Sequence, residues 1–213
     1  MQSAPEAGVL IGLGAVFTLL FITLGPLKIV GPFVQLTREA DDATMKKIAV
    51  RAFALAVIAV VVGGFVGQAL LENWGISIPA LLLAGAIIFL LVGLSLVLEQ
   101  YHAVHPAPPP LPAGPMAAAM RITFPTVVTP YGIAALIVLL ANSPDAARTA
   151  SILAILIGVM VLNLLAMLYA RRMMGGATAM VLQVLGAVLG VLQVALAVEM
   201  LLRALYQLGV LNG

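Results

Sequence analysis

Lys28 stands between two Gly-Pro pairs, Gly25-Pro26 and Gly31-Pro32, in a stretch that is otherwise apolar. A cation there could bind a solute carboxylate or exchange a proton inside a cavity. It could equally run its long stem to the membrane surface and keep its ammonium in water. A second proline cluster, Pro125 and Pro130, brings Thr126, Thr129, Tyr131 and Gly132 with it. The two threonines suit the backbone carbonyls that a proline break leaves free, and Tyr131 either closes a cavity or fills one. Glu199 and Arg203 are four residues apart, on one helix face. A local ion pair is the plain reading, and a Glu199–Lys28 pair across the protein or a proton-carrying Glu199 is the sharper one. Asn163 and Gln68 are neutral polar residues in apolar surroundings, suited to interhelical hydrogen bonds or to lining a site. His102 and His105 have a spacing that could suit a metal, but no third ligand follows, and both read as surface loop residues. No phosphate loop, nucleophile elbow or zinc-protease motif is present, so no catalytic residue, cofactor or metal is assigned.

The elements that must position these groups follow from composition. Of 213 residues, 63% are apolar and 8% charged, with mean hydropathy +1.21. A soluble domain carries about 25% charged residues. Ten basic and eight acidic side chains cannot clothe a soluble globule, and a net charge of +2 offers no field for nucleic acid. The absence of cysteine removes disulfides and thiolate chemistry. A spanning helix needs about 20 apolar residues. Six such stretches are expected as spans, at about 7–27, 52–71, 74–98, 122–144, 149–170 and 179–203. Their Leu, Ala, Val and Gly show no alternation of period two, so they read as helices rather than barrel strands. The segment 106–115 has six prolines in ten residues and reads as a stiff interhelical loop. The first span is not expected to be a signal peptide, because no basic residue precedes it and no cleavage site follows.

Positive charge orients the spans. Arg38, Lys46, Lys47, Arg51, Arg121, Arg171 and Arg172 fall on one side, against Arg148 and Arg203 on the other. This predicts cytoplasmic odd-numbered loops and both termini outside. The run Arg38-Glu39-Ala40-Asp41-Asp42 reads as a helix start, with Asp41 or Asp42 as its cap. Gly63, Gly64, Gly67, Gly85 and Gly186 read as seams where helices approach closely. The chain also divides into two halves, 1–105 and 116–213. Setting Pro26 on Pro130 also pairs Ile29 with Ile133, and Leu83-Ala84-Gly85-Ala86-Ile87 answers Val184-Leu185-Gly186-Ala187-Val188. Three spans per half would insert the second copy upside down, the inverted repeat of many secondary transporters. Spans one and four are expected to be broken or re-entrant at their prolines.

At these two segments the sequence resembles the MarC family of integral membrane proteins, within the LysE-type exporter superfamily. The family's first span reads close to F-x-x-L-[DN]-P-x-G-N-x-P-x-F-x-x-L-T. Phe21, Leu24, Pro26, Phe33, Leu36 and Thr37 match it. Gly25 replaces the acidic or amide residue, Lys28-Ile29 replace Gly-Asn, and the second proline is displaced by one, to Pro32. Pro125, Pro130 and Gly132 correspond to the fourth-span motif P-x-x-x-G-P-G-A, with Thr129 and Tyr131 substituted. Gly75-Ile76-Ser77 through Gly85, and Leu185-Gly186 through Leu202, resemble two further stretches; the family usually has Gln where Glu199 stands. The departures gather at the polar positions of the first break, so this looks like a divergent branch. The resemblance implies six spans and, for some members, proton-linked transport of small neutral amino acids.

The expectation is therefore an all-α membrane protein of six transmembrane helices, arranged as two inverted three-helix repeats in a cell's inner (plasma) membrane. It is read as a transporter, not an enzyme, moving a small polar metabolite such as a small neutral amino acid or carboxylate by alternating access. Gly25, Pro26, Lys28, Gly31, Pro32, Thr126, Thr129, Pro130, Tyr131, Gly132 and Asn163 are the candidate substrate-binding residues. Glu199, Arg203 and Lys28 are the candidate coupling or ion-pair group. Its partners are the lipid bilayer, a small-molecule solute and a coupling proton or sodium ion; a homo-oligomer is admitted and nucleic acid is not. The rival reading is a scaffold or accessory subunit that transports nothing.

Overall fold

The computed structural model describes residues 12–99, 114–173 and 177–211. His102, His105 and most of the proline-rich loop lie outside them. The described residues are helical, without a strand among them. Helix α1 runs Leu13–Leu24, a single 3-10 turn follows at Pro26–Lys28, and α2 runs Val30–Leu36. Then come α3, Asp42–Asn73, and α4, Ile78–Glu99. In the second half α5 covers Pro115–Ile122, a π turn covers Thr123–Val127, and α6 covers Pro130–Ala141. The chain ends with α7, Ala146–Met173, and α8, Ala177–Gln207.

The helices start where their sequences supply a start. Asp41 caps α3, its carboxylate accepting from the amides of Ala43 and Thr44. Pro26, Pro115 and Pro130 each open a helical segment, where the missing N–H would have had no partner. The Gly31-Pro32 pair does not break the chain as expected. Pro32 falls in the first turn of α2, where a helix tolerates proline, so the break in the first segment lies at Gly25 alone. Helix α3 also begins ten residues before the expected span. Lys46, Lys47 and Arg51 are exposed on its first turns, and a charge-free run marks apolar depth rather than helix length.

Three described helices are long and apolar enough to cross a membrane, Asp42–Asn73, Ala146–Met173 and Gly190–Gln207. The pair Pro115–Val127 and Pro130–Ala141, bent by 64°, makes a fourth when it is counted as one span. Leu13–Leu24 and Ile78–Leu94 are shorter apolar helices. The surface is apolar as well: Ile58 is 61% and Val191 60% exposed, which suits lipid and not water. This is a multi-pass membrane protein.

Helix α4 packs along α8, while α3 packs on α5, α6 and α7, and α7 on α1 and α2. Lipid offers no hydrophobic drive between helices, so close backbone approach has to hold them. The glycine seam of α3 supplies it. A Cβ on Gly64 would lie 2.6 Å from Leu136, and one on Gly67 would lie 2.2 Å from Ile137, both on α6. Gly85 of α4 meets Ala134 from the other side. Leu20, Leu24, Phe33, Ile48, Leu136, Met160 and Met167 fill the core around these contacts.

Candidate functional site where two broken helices meet

A helix that stops leaves its last carbonyls without intrahelical donors, and in hydrocarbon no water replaces them. Helix α1 stops at Leu24 because Pro26 has no amide to donate. Gly25 is required at the turn: a Cβ there would lie 1.9 Å from the carbonyl oxygen of Phe21. The orphaned carbonyls find partners from three other elements. Lys28 Nζ, on the turn just below, donates to the Thr23 carbonyl. Thr129 Oγ1, from the break in the second half, donates to the same oxygen at 3.2 Å. Asn163 Nδ2, midway along α7, donates to the Leu24 carbonyl at 2.6 Å.

The second break is built around the same place. The chain turns through a cis Phe124–Pro125 bond and a π turn, and α6 then opens at Pro130. Thr129 caps α6 by accepting from the Gly132 amide at 3.2 Å, so one hydroxyl serves both breaks. Leu24 presses on Gly132, where an added Cβ would meet its Cδ2 at 2.3 Å. Tyr131 accepts a hydrogen bond from Lys28 at 2.9 Å, and the ammonium lies 4.9 Å from the ring centroid. The Tyr131 ring stands against Phe89 of α4, with centroids 4.7 Å apart.

Tyr131, Thr23 and Phe89 line a cavity of about 1130 Å³. Its lining extends to the ends of five helices, at Gly12, Ile78, Asn142, Arg148 and Arg203. Thr23 lies eleven residues along α1 from Gly12, about 16 Å of helix. Thr23 and Tyr131, beside the two breaks, therefore lie deep in the cavity, whose walls are mainly the apolar residues of α1, α4, α6 and α8; Gly25, Pro26, Lys28, Thr129, Pro130 and Asn163 lie behind them and do not line it. At the other end of the molecule Arg171, in the last turn of α7, holds the α2–α3 connection. It bonds Asp42 Oδ1 at 2.6 Å, the Thr37 carbonyl at 2.8 Å and the Ala40 carbonyl. Between this clamp and the break lies a small apolar groove of about 240 Å³, lined by Pro26, Val30, Leu165, Ala166, Tyr169 and Met173.

Of the candidates, Gly25, Pro26, Lys28, Thr129, Pro130, Tyr131, Gly132 and Asn163 come together. Gly31 and Pro32 lie beyond the break on α2, and Thr126 is half-buried on the π turn. Lys28 turns inward to Thr23 and Tyr131 rather than out to the surface. Glu199 pairs with Arg203 at 2.7 Å, both exposed, so Lys28 is not part of that ion pair. Gln68 bonds Glu72 of its own helix at 3.2 Å and bridges to no other helix through that contact. Sequence reading does not single out Thr23, Phe89 or Gln193. Gln193 is 5% exposed on α8, and its Nε2 has no hydrogen-bond partner among the described residues. A glutamine inside a charge-free run is the signal that could have found it, the same signal that marks Asn163.

Comparison with curated proteins and with solved structures found no match. A family model does match, over residues 11–208, nearly the whole chain: the protein belongs to the MarC family of integral membrane proteins.

Proposed function

We propose that the chain is a secondary transporter of the cell's inner membrane, moving a small polar metabolite by alternating access between two inverted halves. The observation that carries this reading is the meeting of the two breaks beside a cavity that Thr23 and Tyr131 line. Broken helices survive at membrane depth where they line such a cavity. On this reading α1 with α2, and α5 with α6, each make one broken span, and six traverses result. Two regularities support the repeat. Pro26 and Pro130 are 104 residues apart, and so are Asp42 and Ala146, the first residues of α3 and α7. Each broken segment also packs on the long helix of the other half, α1 and α2 on α7, α5 and α6 on α3.

The seven-to-two distribution of basic residues then puts the Arg171 clamp in the cytoplasm and the cavity mouth outside, with both termini. The solute is a small neutral amino acid or carboxylate, its polar head against Tyr131 and Thr23. Catalysis has no part in this reading. One observation favours the rival, a scaffold or accessory subunit: the chain's own oxygens already hold the Lys28 ammonium, as in a packing device.

Flux in proteoliposomes decides between them. Labelled small amino and carboxylic acids, with an imposed pH gradient, should show saturable counterflow. Tyr131→Ala at the deep end and Ala134→Trp in the wall should each lower it at least tenfold while the protein stays folded. Flux of no solute from folded wild-type protein would leave the scaffold reading.

A further inference from the structure

The ammonium of Lys28 occupies a site made of acceptors. Thr23 is the penultimate residue of α1, and its carbonyl points from the negative end of that helix. In transporters with discontinuous helices, half-helix C-terminal ends and unwound carbonyls are where coupling cations bind. Here that carbonyl receives Lys28 Nζ and Thr129 Oγ1 together. The phenol oxygen of Tyr131 is the next ligand of the ammonium, at 2.9 Å. On the neighbouring carbonyl, that of Leu24, sits Asn163, 1% exposed. Its Oδ1 has no hydrogen-bond partner among the described residues, so the side chain that holds the Leu24 carbonyl keeps one buried acceptor unused. A buried oxygen without a donor is costly, and a cation within its reach would relieve it.

We infer that Lys28 is a tethered cation filling a site for a small monovalent metal ion, sodium in size, at the crossing of the two breaks. One positive charge bound to neutral oxygens replaces another, so the charge of the site is unchanged. The wild-type protein therefore needs no sodium, and removing the ammonium while keeping the oxygens creates a sodium site. That consequence for coupling rests on the transporter reading; the site itself does not.

Melting of the full chain in detergent tests the site without any solute. Wild type should melt at the same temperature in sodium, potassium or choline chloride at equal ionic strength. Lys28→Met, which keeps the apolar stem, and Lys28→Ala should each gain at least about 2 °C in sodium over choline, with potassium less effective. If either variant fails to purify folded, sodium during extraction should rescue it where choline does not. A sodium-specific gain in wild type overturns the inference. So does a variant indifferent to sodium, or one that sodium fails to rescue. Flux supplies a separate reading: sodium-independent in wild type, sodium-dependent in Lys28→Met. Absence of wild-type flux would overturn the transporter reading and leave the site to be judged by the melting alone.

Discussion

Gly25 and Gly158 separate two uses of glycine in one chain. At Gly25 an added methyl group meets backbone, the Phe21 carbonyl oxygen at 1.9 Å, and backbone cannot swing aside as a side-chain end can. At Gly158, on the exposed face of α7, nothing lies within 4 Å. Gly25→Ala should therefore destabilise by about 1–3 kcal/mol, the usual cost of overpacking. Gly158→Ala should stabilise by up to about 1 kcal/mol through helix propensity. Thermal unfolding in one detergent compares them directly; equal shifts would mean that the turn at Gly25 relaxes around a side chain. The residues of the break were legible because proline is: it removes a donor wherever it stands. Their partners were not. Lys28 finds Tyr131 across 103 residues, and Asn163 finds the Leu24 carbonyl across 139. No local pattern encodes such pairs, so the sequence could name the two ends and not the bonds between them.

Helix starts were legible where a side chain makes them, and Asp41 shows what such a start implies for acid stability. Hydrogen bonds from Thr44, side chain and amide, and from the Ala43 amide hold its carboxyl below the ordinary carboxylate value. A lowered folded value means that the stabilisation is complete above the unfolded value, near 3.8, and is lost as pH falls through the folded one. The first turn of α3 should therefore lose protection against amide exchange, relative to the intrinsic rate, below that pH. Asp41→Asn keeps an acceptor and should remove the difference in protection between neutral and acid buffer. Hydrogen exchange of peptides covering the start of α3, wild type against variant at each pH, reads this; identical profiles would assign the helix start to Pro32, Thr37 and the α2–α3 turn instead. The span boundaries were less legible for the same physical reason. A charge-free run reports how much of a helix lies in hydrocarbon, and α3 carries three cations beyond it on a helix that continues into the interface. Gly31-Pro32 misled in the other direction. Proline breaks a helix in its interior and begins one in its first turn, and only the position of the preceding break decides which.

The molecule as a whole holds a cavity toward one end and a staple at the other. The cavity reaches from the ends of five helices down to Tyr131, while Arg171 ties α7 to the α2–α3 connection. An exposed ion pair alone contributes about 0–1 kcal/mol, but Arg171 also satisfies the Thr37 and Ala40 carbonyls, and charge-assisted bonds to backbone add to that. If the two halves rock about the break, opening the clamped end has to part α2 from α7. The small groove lined by Pro26, Val30 and Ala166 is the place where that separation would begin. The chain holds no cysteine, so a single introduced thiol reports cleanly. Ala166 is 8% exposed, and Ala166→Cys should react slowly with a water-soluble maleimide. Adding Arg171→Ala should raise that rate about tenfold, the effect of shifting the closed state by about 1.4 kcal/mol. Asp42→Asn should raise it less, because the two carbonyl bonds remain. A rate unchanged by Arg171→Ala would mean that the clamp orders the connection without holding the end shut. In that case the packing of Phe33, Ile48 and Met167 beneath it, and not the ion pair, keeps the second face closed.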